Sequence, residues 1–210
     1  AFGLVMVFSA TSASAALGQG DPMTFLVKQG AYAMAGLVLL ATVSHEWPGG
    51  VAWYNRMSGW PVAGTLFRRL VIPVYAPLAA RRGVENSFRP DPAPPGYYEA
   101  AGIPLLFRAK DFRNNAEDLR ELKPQIVAMK GRYGEIAIPT AVVTGADDPT
   151  VSPTIHSATL SREIPGADFQ SLPDTGHALH HSEKGKVLAA IERVTAAAIG
   201  KSGQAAAAAR

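Results

Sequence analysis

Apolar positions along the chain fall into two patterns. Gly36-Leu-Val-Leu-Leu-Ala41 and Pro139-Thr-Ala-Val-Val-Thr-Gly145 are short, unbroken apolar or β-branched runs closed by small residues. That pattern predicts strands buried on both faces. Asp168-Phe-Gln-Ser-Leu172 reads as a further short strand, stopped by Pro173. Between them, Ser152 to Glu163 reads as a helix, with Ser152 as N-cap and Pro153 at the first helical position. Ser182 to Ile199 reads as another, capped by Ser182, with Val187, Leu188, Ile191 and Val194 at helical spacing. Strands alternating with helices at these lengths imply right-handed parallel crossovers, hence an α/β sheet covered by helices.

Trp47 to Glu135 has another character. It carries most of the prolines and all three tryptophans. Short amphipathic helices broken by proline fit it best, among them Val62–Leu70 and Phe112–Met129, the latter interrupted at Pro124. Nearly ninety residues far exceed an ordinary connection between two strands, so an inserted helical cap is predicted. The predicted organisation is a core formed by residues 1–45 and 136–199, a helical cap over 46–135, and a low-complexity, disordered tail over 200–210. Gly200-Lys201-Ser202 does not make a phosphate loop, because that motif needs glycine where Thr195 stands.

Composition narrows the class. The 210 residues suit one domain with an elaboration, and 48% hydrophobic content supplies a core. Zero cysteines exclude disulfide scaffolds, thiolate metal sites and cysteine nucleophiles. A net charge of +3, spread thinly, gives no footprint for nucleic acid. The apolar stretch Ala31–Val43 is too short for a bilayer-spanning helix, which needs about 20 residues, and no transmembrane helix is predicted. The first fifteen residues have two readings. Leu4–Phe8 suits a buried strand entering a turn of small residues. The apolar run and Ala13-Ser14-Ala15 also suit the tail of a signal peptide, against which stand the missing initiator Met and basic flank. A cytoplasmic location is expected, and the signal-like start leaves a periplasmic or secreted one open.

Candidate chemistry sits at two strand ends. Thr144-Gly-Ala-Asp-Asp148-Pro-Thr-Val151 follows one predicted strand, and Pro173-Asp-Thr-Gly-His177 follows the next. Open α/β sheets place their sites at the C-terminal ends of parallel strands. A carboxylate there can hold an imidazole's tautomer and leave its other nitrogen to act as a general base. The same residues also suit a blander arrangement, with Asp148 capping the following turn and His177 an ordinary loop histidine.

Together, Gly-Leu-Val-Leu-Leu-Ala (36–41), Thr-Gly-Ala-Asp-Asp-Pro-Thr-Val-Ser-Pro (144–153) and Leu-Pro-Asp-Thr-Gly-His (172–177) resemble the C-terminal half of an α/β-hydrolase. The resemblance runs from about Ala35 to Val194. It makes 36–43, 139–145 and 168–172 the sixth, seventh and eighth strands, Asp148 the triad acid and His177 the triad histidine. It implies hydrolysis of an ester-type bond of a small hydrophobic substrate through a covalent intermediate, with no metal or organic cofactor. The chain departs from the family upstream, where Gly-x-Ser-x-Gly should stand about 20 residues before the sixth strand. No such motif occurs, and the nearest substitute is Ala10-Thr-Ser12-Ala-Ser14, which makes Ser12 the candidate nucleophile. An N-terminally truncated or frame-disrupted chain accounts for the departure. Such a chain is expected to turn over esters poorly, because the family's oxyanion donors come from the elbow and an upstream loop. The rival reading is a non-catalytic hydrolase remnant or binding protein that self-associates through an exposed sheet edge.

The remaining histidines and aromatics each suit more than one role near this site. His177, His180 and His181 suit a pocket mouth better than a metal site, for which no third ligand motif is present. His45 suits a substrate-facing or a solvated loop, and His156 a helix surface. Trp47, Trp53, Tyr54, Trp60 and Phe67 suit either a pocket wall for an apolar substrate or packing of the cap on the core.

Overall fold

The computed structural model describes residues 36–208 of the chain. The predicted strand Leu4–Phe8 and the candidate Ser12 lie outside the described residues. Strands β1 (Leu37–Leu40), β2 (Thr140–Gly145) and β3 (Asp168–Leu172) form a parallel sheet in the order β1-β2-β3. β2 is buried at all six positions, while β1 is half-buried throughout. Its two faces differ in what covers them. Ala141 and Val143 point into a core with Leu172, Leu179, Val187, Ala190 and Val194. Val142, one residue out of step, packs with Tyr133, Leu160 and Ile164 on the other side. This alternation under an unbroken apolar run is what a two-sided parallel sheet requires.

The segment between β1 and β2 is helical and contributes no strand to the sheet. It contains α1 (Trp53–Ser58), α2 (Val62–Leu66), α3 (Ile72–Phe88), α4 (Tyr97–Ala100) and α5 (Ala109–Met129), with 3₁₀ turns at Ile103–Phe107 and Lys130–Glu135. Phe67, Ile72, Ala76 and Phe112 make its own small core, joined by Tyr54, Met57 and Phe107. Prolines break this region less than the sequence predicts. α2 and α3 form one run from Val62 to Phe88 through a π turn at Phe67–Val71. The π turn bonds Ile72 N–H to Phe67 O and widens the backbone just before Pro73, easing the clash a proline ring makes with the carbonyl four residues back. Pro77 sits inside α3, and α5 runs unbroken through Pro124.

After β2 come α6 (Ser157–Glu163), α7 (Leu179–Ser182) and α8 (Lys184–Ala208). α6 begins at Ser157, not at Ser152. His156 N donates to Ser152 O, but Ala158 N reaches back to Pro153 O, so residues 153–156 form irregular turns before the helix settles. Ser182 ends a short helix instead of capping the long one. α8 continues to Ala208, past Ile199, through a stretch rich in alanine, the strongest helix former.

Candidate active site

Asp148 and His177 meet. His177 Nδ1 and Asp148 Oδ2 lie 2.8 Å apart, with the carboxylate fully enclosed and the imidazole about one-third exposed. The other carboxylate oxygen, Oδ1, accepts the backbone N–H groups of Thr150 at 2.7 Å and Val151 at 2.9 Å. Asp148 is therefore both the cap of its own turn and the partner of His177, two roles that sequence reasoning set against each other. A carboxylate pinned by two amides cannot rotate freely, so its second oxygen is aimed at the imidazole before any ligand arrives. With Nδ1–H donated to Asp148, the Nε2 lone pair is left available. Among the described residues, no side chain hydrogen-bonds to it.

Glycine at two positions makes this meeting sterically feasible. A Cβ on Gly145 would overlap the Thr175 and Gly176 carbonyls, and a Cβ on Gly176 would overlap the Arg89 carbonyl. Backbone bonds lock the same junction: Ala146 N to Leu172 O at 2.8 Å, Asp147 N to Thr175 O at 3.1 Å, and Ala178 N to Ser87 O at 3.0 Å. Three chain segments thus converge, the end of β2, the end of β3 and the end of α3. The glycine closing β2 and the one preceding His177 act through close backbone approach, not through flexibility.

Behind the pair lies a buried group that sequence reasoning misplaced. His156 is 3% exposed, not a helix-surface residue. Its Nδ1 accepts the backbone N–H groups of Ser44 at 3.3 Å and His45 at 3.2 Å, and its carbonyl accepts from Ser44 Oγ at 3.2 Å. Tyr133 Oη donates to Ser44 O at 2.7 Å. The segment leaving β1 is thereby tied to the segment carrying Asp148. Burial pushes the His156 pKa below its ordinary value of 6.5, reinforced by His45 and opposed by Asp148. A protonated Nδ1 would lose both accepted bonds.

This sets the sign of an acid response. The native state resists protonating His156 while the unfolded chain binds the proton readily, so this contribution to stability is complete above pH 6.5 and declines as pH falls below it. We expect the urea midpoint to fall between about pH 7 and about pH 5. The fall should shrink in His156→Asn, whose amide oxygen accepts hydrogen bonds without titrating. An identical decline in the variant would assign the acid response to other groups.

The other predicted residues scatter. His45 lies between Ser44 Oγ (2.9 Å) and Glu163 Oε2 (3.1 Å) and packs near Tyr133. His180 and His181 are ring neighbours at 4.4 Å, with His181 against Phe88 and Tyr97. Burial and the neighbouring His181 and His177 hold the His180 pKa down. No group of three metal-ligating side chains occurs among the described residues. The five aromatics do not make one wall. Trp47 packs on His156, while Trp53 packs with Tyr54, Phe67 and Tyr75, and Trp60 is exposed. A recess of about 600 Å³, lined by Arg81, Glu85, Arg89, Tyr97 and Glu99 among others, does not include Asp148 or His177.

Comparison with solved structures identifies the fold. The chain is similar to an esterase from Exiguobacterium antarcticum (TM-score 0.54, 14% identity), covering 76% of this chain and 57% of that one. It is also similar to a bromoperoxidase from Bacillus anthracis (TM-score 0.52, 11% identity), with the same coverage of both chains. The fold is that of the α/β-hydrolases. This chain spans a little over half the length of those two structures. No family model matches the sequence, and no curated protein does.

Proposed function

We propose that this chain carries the acid–base half of a serine hydrolase acting on an ester-type bond of a small hydrophobic substrate. The observation that supports it is the 2.8 Å contact between His177 Nδ1 and an enclosed Asp148 whose other oxygen is anchored by two amides. In this reading Asp148 fixes the Nδ1–H tautomer and stabilises the imidazolium. His177 Nε2 takes the proton of the serine hydroxyl as its oxygen attacks the ester carbonyl. Collapse of the tetrahedral intermediate returns that proton to the leaving alcohol, and water then releases the acyl group by the same route. Ser12 is the candidate nucleophile, the 46–135 helices are the cap over the substrate, and no cofactor takes part.

A non-catalytic remnant is the second reading. It is favoured by the absence of Gly-x-Ser-x-Gly from these 210 residues. Labelling with a fluorophosphonate, followed by peptide mapping, separates the two. The catalytic reading expects a single adduct on Ser12 that His177→Ala abolishes. No adduct, or one indifferent to His177, would favour the remnant.

A further inference from the structure

The run Val62–Phe88 buries one face and leaves an apolar stripe on the opposite one. Residues at a spacing of four, Gly64, Arg68, Ile72 and Ala76, are buried and face the core of the 46–135 segment. Offset from them by two residues, Val62, Leu66, Leu70, Val74 and Leu78 are 76%, 56%, 67%, 72% and 70% exposed. Two residues on a helix turn the direction by roughly 200°, so the second stripe points away from the first. Trp60, 57% exposed, stands at its start. A contiguous apolar face of this length marks an interaction surface.

Charge around the stripe says what covers it. From Trp47 to Val84 there is no Asp or Glu, while Arg56, Arg68, Arg69, Arg81 and Arg82 lie in that interval. Arg68 is buried and donates to Ser58 O and Thr65 Oγ1, and Arg81 pairs with Glu99 at 2.7 Å. Arg56, Arg69 and Arg82 are exposed and form no ion pair among the described residues. Arg69 lies three residues after Leu66, and Arg82 continues the stripe four residues after Leu78. An exposed apolar stripe, an aromatic at its end and flanking unpaired arginines are the features of a helix lying in a membrane interface. By length and composition alone the 27-residue run could also cross a bilayer. The burial of Ile72, Ala76 and Phe88 against protein, with Arg68 held in the middle, fits lying on a surface rather than spanning it.

We propose that this face docks on a lipid surface bearing anionic headgroups. The proposal is independent of the hydrolase reading. It is tested by co-sedimenting the full chain with vesicles of phosphatidylcholine alone and with phosphatidylglycerol added. Binding is expected to favour the phosphatidylglycerol vesicles and to weaken as salt rises. The quadruple variant Leu66→Ser, Leu70→Ser, Val74→Ser, Leu78→Ser should lose binding. Arg69→Gln with Arg82→Gln keeps the apolar stripe, and should lower affinity for the anionic vesicles about fivefold per arginine while leaving the neutral ones unaffected. Because the arginine variant preserves the apolar surface, it reads the docking even where the quadruple variant loses stability. Ile199→Ser, at an exposed apolar position on α8, should change nothing. Failure to sediment with either vesicle would overturn the proposal, as would equal binding by the arginine variant. A dimer in solution that the quadruple variant dissolves, without vesicle binding, would instead assign the face to a second copy of the chain.

Discussion

Asp148→Ala is expected to destabilise the chain by about 3 kcal/mol, while Asp148→Asn costs less than half as much. The alanine variant removes the acceptor for two backbone amides and for His177 at once. Thr150 is exposed and its N–H can turn to water, but Val151 is buried and its N–H is left unpaired. An unsatisfied buried donor costs about 1–3 kcal/mol, and lost hydrogen bonds to a charged group add about 1.5–3 kcal/mol before water compensates the exposed ones. In the asparagine variant Oδ1 still accepts from Thr150 and Val151, so the turn survives. Its Nδ2 now faces His177 as a donor, which drives the imidazole proton from Nδ1 to Nε2. Urea unfolding reads the first effect and ¹⁵N imidazole shifts read the second. Equal destabilisation by the two substitutions would mean that the amide bonds contribute little. An unchanged tautomer in Asp148→Asn would mean that the carboxylate does not set it.

Much of this arrangement is legible in the sequence because its cause is local. β2 is recognisable from a β-branched run closed by glycine, and burial on both faces leaves little freedom in how such a run is used. Asp148 and His177 stand out because each follows a strand end, and parallel pairing of β2 with β3 does the rest. What escaped depends on distant partners or on backbone adjustments that leave no compositional mark. His156 is buried by Ser44 and His45, more than a hundred positions away, and nothing in Thr154-Ile-His-Ser157 announces that. The unbroken run through Pro73 depends on a π turn, which no periodicity at 3.6 residues would reveal. The aromatics between Trp47 and Phe67 look like one set along the chain. The fold divides them, because Trp47 stays with the segment leaving β1 while Trp53 joins the helical core.

Loss of His177 is expected to have the larger effect on chemistry. On the proposed mechanism the variant lacks the imidazole that takes the nucleophile's proton, whereas Asp148 still caps its turn. General acid–base assistance contributes about 10²–10⁴ in rate. Slow background activity does not blunt the comparison, since both proteins share every other feature, including whatever oxyanion donors the chain supplies. The most direct measurement is therefore hydrolysis of p-nitrophenyl butyrate by the purified chain and by His177→Ala, with the urea midpoint confirming that both are folded. Slow turnover by the chain is expected, with a fall of about 10²–10⁴-fold, to buffer background, in the variant. Turnover by folded His177→Ala equal to that of the unsubstituted chain would contradict it.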